Sequence, residues 1–309
     1  MQAVDDLHDG VDALPLQDNL AFPRQTARGR FRLNRWATIP DWQPALEHHL
    51  LDHSKRSLLG HSVFAGSMDA LVGEVLESAG TRGKWLACLN PHSHVMARKE
   101  PSFLRALQRC SWLIPDGSGI ALASRILPGP PLARITGPDF FLALSRRLTD
   151  HPWRKVMFLG STESTLQRIR NRYEREFPAI GPITTYSPPF RPEFLESDIA
   201  AINAAIEQFR PDVLWVGLTA PKQEKLIDIL AANRNFGFAA AIGAAFDFYA
   251  GTVQRPSPAF RRAGLEWLPR LLREPRRLWQ RTLVSAPIFL GDVLMEAVTR
   301  RNPGNADHE

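Results

Sequence analysis

The chain has 309 residues, 44% of them hydrophobic: enough for one large α/β domain with appendages or two modest domains, and too apolar for a disordered chain. Its two cysteines, Cys88 and Cys110, both lie in apolar runs, which excludes a disulfide scaffold and reads as small core residues of a reducing compartment. The net charge of +6 is confined to one place, since residues 255–281 carry eight arginines against two glutamates and the rest of the chain sums to zero. The partner of that segment should be anionic: a phosphate, a nucleic acid or an acidic lipid surface.

In chain order, residues 1–60 read as a polar N-terminal extension, acidic first and basic after, with a short helix over residues 42–51. The first 18 residues hold five aspartates and no lysine or arginine, the opposite of a secretory leader's basic start. "SMDALVGEVLESAG" follows with a helical period in which Met68, Leu71, Val72, Val75 and Leu76 share a face and Gly80 ends the helix. Short apolar runs then predict strands at residues 84–89, 111–115, 155–160, 182–187, 212–218 and 237–243. Amphipathic stretches at 92–109, 118–127, 138–149, 163–176, 195–208 and 222–234 predict helices between them. Strands apolar throughout and separated by helices define a parallel sheet buried on both faces, so the predicted class is a Rossmann-like, doubly wound α/β domain over residues 61–250. Residues 251–309 form a basic, amphipathic C-terminal appendage, and no uninterrupted apolar run of 18 residues predicts a transmembrane helix.

Ligands of open parallel sheets bind beyond the carboxyl ends of the strands, so the residues just after each strand matter most. There stand Asn90, Asp116, Gly160-Ser161-Thr162, Thr219 to Glu224, and Gly243. Asp116, at the lip of "CSWLIPDGSGIAL", is either the N-cap of the next helix or a general base whose apolar surroundings raise its pKa. Lys222, Gln223 and Glu224 begin a helix after Pro221; that start either takes an anion or is merely solvated. "FLGSTESTL" is a phosphate-accepting turn or a capping box. Arg134, ahead of Thr136-Gly137-Pro138, holds a diphosphate or lies on the surface. In the C-terminal segment, tryptophans and leucines interleave with Arg270, Arg273, Arg277 and Arg281, spaced for one helical face although Pro275 predicts a break. That pattern reads as an element lying on a membrane, with a nucleic-acid tail or an ordinary docked helix pair as rivals. No DxD, HExxH, GxSxG, Walker A or GxGxxG motif occurs.

Taken together, "LNPHSHVMA", "LIPDGSGIALASRILPG", "RITGPDFF", "FLGSTEST", "PDVLWVGLTAPKQEKLI" and "AAIGAAFDFYAGTVQRPSPAFRRAGLEWLPRLLREPRRLW" resemble, in order and over residues 65–290, the WecG/TagA/CpsF bacterial glycosyltransferases, family 26. The resemblance implies an inverting enzyme without metal or other cofactor. It would move a sugar from a UDP-sugar to a sugar on undecaprenyl diphosphate, in exopolysaccharide or cell-surface polysaccharide synthesis. It would work peripherally at the cytoplasmic face of the inner membrane, on an anionic surface, as a possible homo-oligomer that binds no nucleic acid. By motif, the resemblance makes Asp116 the base. By the same motifs Asn90, Arg134 and Gln223 enter the substrate site and Arg270 and Arg277 meet the lipid diphosphate; Gly137, Lys222, Glu224 and Gly243 are read as further substrate-binding residues, and Arg273 and Arg281 as further residues for the lipid diphosphate and the membrane. Three positions depart from the family pattern: Cys88 stands for a common threonine, Gln280-Arg281 for two arginines, and Pro269 for a tyrosine.

The sugar is read as glucose, from general likeness to a xanthan-type pathway, with N-acetylmannosamine and its uronic acid as other members' donors. Two readings outside the family stay in view. One is a nicotinamide-dependent oxidoreductase on the same fold, against which the missing GxGxxG argues. The other is a non-catalytic polyanion- or lipid-binding protein using its arginines.

Overall fold

A computed structural model describes residues 54–151, 154–257, 259–260, 264–273, 275, 279 and 283–301, with the backbone alone for Ala79, Arg270, Arg273 and Arg301. The helix expected over residues 42–51 lies outside them.

The stretch read as an extension ends in a hairpin. β1 (Lys55–Leu58) pairs antiparallel with β2 (His61–Phe64). Leu59 and Gly60 both take positive φ, as a tight two-residue hairpin turn requires. α1 (Met68–Glu77) follows, capped by Ser67 and burying Leu71, Val72 and Val75 as its period predicts.

Six parallel strands form the sheet: β3 (Lys84–Leu89), β4 (Trp112–Pro115), β5 (Val156–Gly160), β6 (Ile183–Tyr186), β7 (Val213–Gly217) and β8 (Phe238–Ala241), in the spatial order β4-β3-β8-β7-β5-β6. All six lie within the predicted runs. Between β3 and β4 run α2 (Pro91–Lys99) and α3 (Pro101–Arg109). A single helix is expected there. Pro101 has no N–H to give and drives Glu100 out of the helical region, to φ −126° and ψ 98°, so the helix breaks in two. α4 (Ser118–Ile126) and α5 (Gly137–Leu148) lead to β5, α6 (Glu163–Glu176) to β6, α7 (Glu196–Phe209) to β7, α8 (Lys222–Ala231) to β8, and α9 (Ala245–Ala250) follows β8.

Side chains alternate across each strand and divide the core in two. Trp85, Ala87, Leu89, Met157, Leu159, Leu214 and Val216 face α2, α3, α4, α7 and α8. Leu86, Ile114, Val156, Phe158, Val213 and Trp215 face α1, α5, α6 and α9. Both faces are therefore covered, which is why the strands read as unbroken apolar runs.

In the C-terminal segment the described residues include α10 (Trp267–Arg273) and α11 (Ser285–Arg301). α11 buries Phe289, Val293 and Ala297 in the first core layer, so part of the appendage is core. No described helix is long and apolar enough to cross a membrane.

Candidate active site

A cleft of about 1210 Å³ runs along the carboxyl rim of the sheet. The turn after every one of the six strands lines it. Asn90 follows β3, Asp116 β4, Ser161 and Thr162 β5, residues 188–192 β6, Thr219 to Glu224 β7, and Gly243 β8. Arg134, Thr136 and Gly137 line it too, and Gly264, Glu266, Trp267 and Leu283 enter from the C-terminal segment.

Asp116 is half-buried and one residue beyond β4. Its amide donates to the Leu89 carbonyl at 2.8 Å, continuing the strand ladder, and the Ile135 amide donates to the Pro115 carbonyl at 3.1 Å, bringing the segment of Arg134 alongside. Gly117 then takes φ 85°, a backbone suited to glycine, and occupies the N-cap of α4 with no side-chain cap bond. The N-cap position of α4 is thus that of Gly117, and Asp116 stands one residue before it. Gly119 is needed for a different reason. A Cβ there would come 2.4 Å from the Pro91 ring, so the starts of α4 and α2 sit closer than any side chain allows. Buried Arg56 holds the far end of α4, donating to the carbonyls of Ser124, Leu127, Pro128 and Pro130.

Asn90 is the N-cap of α2. Its Oδ1 accepts from the amides of His92 and Ser93 at 3.1 and 3.0 Å, while Ser93 Oγ accepts from the Asn90 amide. The Asn90 Nδ2 donors have no partner among the described residues and stand in the cleft lining.

Arg134 is one-quarter exposed and lies 3.6 Å from Glu266, which also accepts from Arg255 at 3.3 Å. Arg255 in turn clamps Asp139 with two bonds of 2.8 and 3.0 Å, and Asp139 accepts from the Thr136 hydroxyl at 2.6 Å. These carboxylates hold the Arg255 pKa above its usual value against the opposing cost of burial. One arginine of the basic segment is thus neutralised inside the molecule and is not free to meet an anion. Gly137, the first residue of α5, packs beneath the cleft, with Cys88 Sγ 3.5 Å from the point a Cβ would occupy.

The α8 residues Lys222, Gln223 and Glu224 line the cleft and have partners within its wall. Lys222 donates its ammonium to the Arg191 carbonyl at 2.6 Å and sits 3.8 Å from the centre of the Phe194 ring; burial lowers its pKa. Gln223 is 5% exposed; its Oε1 accepts from the Gly243 amide at 3.1 Å and its Nε2 donates to Glu224 at 2.9 Å. Glu224 is buried deeper still. The lysine anchors the 188–192 wall and the glutamine locks the end of β8 to α8, so both shape the cleft from within its wall. Pro221 is the N-cap of α8, which begins at Lys222 as the sequence predicts.

Arg270 and Arg273 lie in α10, while Arg277 and Arg281 fall outside the described residues. Cys88 and Cys110 form no disulfide, and burial pushes the Cys110 thiol up to about 12. Three features of the site escape motif reasoning. Asp247, in α9, is a further carboxylate on the lining, besides Asp116, Glu224 and Glu266. The proline-rich 188–192 loop closes the β6 end. A polar latch joins α2 to α11: His92 Nδ1 meets Ser285 Oγ at 2.9 Å, His94 Nε2 meets Asp292 at 3.1 Å, and Arg98 pairs with Asp292. A rim carboxylate is visible in "AFDFYAG" once a helix is placed after β8; the latch spans nearly 200 residues and has no local signature.

A parallel sheet covered on both faces, with carboxylates and an arginine gathered in a cleft at its carboxyl rim, defines an α/β enzyme of Rossmann-like architecture. The chain matches the model of the glycosyl transferase WecG/TagA/CpsF family over residues 56–303 and belongs to that family. A Bacillus spizizenii protein named N-acetylglucosaminyldiphosphoundecaprenol N-acetyl-beta-D-mannosaminyltransferase is 30% identical over 213 residues, covering 69% of this chain and 79% of the relative. Proteins of the same name from Bacillus subtilis and Staphylococcus aureus are 26% and 25% identical, over 71% and 68% of this chain and 82% and 79% of theirs.

Proposed function

We propose that the protein transfers N-acetylmannosamine, with inversion, from its UDP derivative to N-acetylglucosamine carried on undecaprenyl diphosphate. The acceptor and the sugar are those in the relatives' names; the expectation of glucose draws no support from them. The observation that carries the reading is the place of Asp116 in the cleft lining, at the carboxyl end of β4 and one residue before the N-cap of α4.

Asp116 takes the proton of the acceptor hydroxyl as that oxygen attacks the anomeric carbon. The bond from that carbon to the diphosphate oxygen breaks on the opposite face, and UDP leaves with the electron pair. Holding both substrates in one cleft supplies much of the rate. Arg134 and the Asn90 amide donors meet the negative charge that develops on the diphosphate, Arg134 exchanging Glu266 for it. Gly137, Gln223 and Gly243 shape the floor.

In this reading residues 61–250 carry catalysis, with the preceding hairpin attached, and residues 251–309 bring the protein to the cytoplasmic membrane face. Arg270, Arg273, Arg277 and Arg281 face anionic headgroups and the lipid diphosphate. A second face of α11 supports this role, for Leu294, Met295 and Val298 are exposed away from the residues that dock it. Incubating the protein with UDP-N-acetylmannosamine, UDP-N-acetylglucosamine and UDP-glucose in turn, beside a short polyprenyl-diphosphate-linked N-acetylglucosamine, should yield a mass increment of one N-acetylhexosamine from the first alone. Transfer of glucose in preference would reject the donor assignment.

A further inference from the structure

Arg255 is 17% exposed and stands behind the cleft wall, where it ties two pieces of that wall together. One piece is the start of α5. Arg255 donates to both oxygens of Asp139 and, at 3.3 Å, to the hydroxyl of Thr136, the N-cap of that helix. The other piece is Glu266, whose Oε1 accepts from Arg255 Nε while its Oε2 faces Arg134. All three nitrogens of one planar guanidinium are used, a pattern that a lysine does not reproduce. The Glu266 segment is also pinned toward α4, because Ser118 Oγ donates to the Gly264 carbonyl at 2.7 Å.

The two arginines do not hold Glu266 equally. Arg255 hydrogen-bonds it at 3.3 Å, whereas Arg134 stays 3.6 Å away, beyond a hydrogen bond. The long ion pair balances the charge of Arg134 without closing on its donors. When an anion draws Arg134 away, Glu266 still has Arg255, so no unpaired carboxylate is left in the wall.

We infer that Arg255 is a positioning residue for the transfer: it holds Glu266 back, so that Arg134 exchanges that carboxylate for the donor diphosphate. The inference rests on the proposed reading that puts Arg134 on the diphosphate. Without Arg255, Glu266 closes on Arg134 and competes with the donor. Calorimetric titration of the full chain with UDP tests this. Arg255→Met should weaken UDP about tenfold or more, as the loss of a hydrogen bond to a charged group does. Adding Glu266→Gln to that variant should restore most of the affinity. Adding Asp139→Asn changes the charge equally without touching Arg134 and should not. Glu266→Gln alone leaves the clamp on Asp139 in place and should bind UDP about two- to fivefold more tightly than the wild type, the range of a partly exposed ion pair. An Arg255→Met variant that binds UDP as the wild type does overturns the inference. So does a loss that Glu266→Gln fails to repair or that Asp139→Asn repairs as well, and so does a single Glu266→Gln variant whose affinity is unchanged or weaker. An Arg134→Ala variant with wild-type UDP affinity removes the donor reading beneath it too.

Discussion

Asp116 is placed by its two glycine neighbours as much as by β4. Gly117 supplies the left-handed turn, and Gly119 lets α4 begin against Pro91. Gly119→Ala should cost about 1–3 kcal/mol by overpacking, read as a lower midpoint in urea, and should lower turnover more than UDP affinity because it moves the carboxylate. An unchanged midpoint would mean that the helices slide apart freely. The place of Asp116 on the cleft rim was legible because the end of a parallel strand is a place as well as a pattern. The true partners of Lys222 and Gln223 were not. Arg191 and Gly243 lie 31 and 20 residues away, and nothing in "PKQE" says which side chain turns into the wall.

At the scale of elements, the docking of α11 carries a pH dependence. Asp292 only accepts, so His94 Nε2 bears the proton in that contact, and the Nδ1 of neutral His94 accepts from His61 Nε2 at 3.0 Å. Burial first, then His94, lowers the His61 pKa from 6.5 to about 4. Burial also lowers that of His94, against the opposing pull of Asp292, with Arg98 and Glu296 nearby. The unfolded chain therefore binds protons below about pH 6.5 that the folded chain refuses, and stability falls as pH drops from 6.5 toward 4. Thermal unfolding should show that fall in the wild type and a shallower one in His61→Gln; parallel curves would remove the histidine pair as its cause. Amphipathic periods foretold α6 to the residue, and the break before Pro101 was open to reading in the proline itself. The docking of α11 was hidden, since a helix apolar on two faces does not declare which one meets the core.

For the whole molecule, composition and alternation were enough to give a parallel sheet with two covered faces. The strand order β4-β3-β8-β7-β5-β6 was not available from them, because the long crossover from β4 to β5 leaves no mark in local sequence. That order matters here, since it stretches the cleft across the full rim, with Gly264 and Glu266 of the C-terminal segment meeting Ser118 and Arg134 at its β4 end. The exposed face of α11 extends the same end outward. Leu294→Glu with Val298→Glu should abolish co-sedimentation with anionic vesicles while shifting stability by no more than about 0.5 kcal/mol per site. Vesicle binding that survives would transfer the membrane role to α10 and its arginines.

The most direct measurement is turnover of UDP-N-acetylmannosamine with the lipid-linked N-acetylglucosamine acceptor, in the presence of EDTA, by the wild type and by Asp116→Asn. The wild type should form the disaccharide, and the variant should form it about 10²–10⁴ times more slowly while still binding UDP. Equal rates would show that the carboxylate beyond β4 does not take the proton.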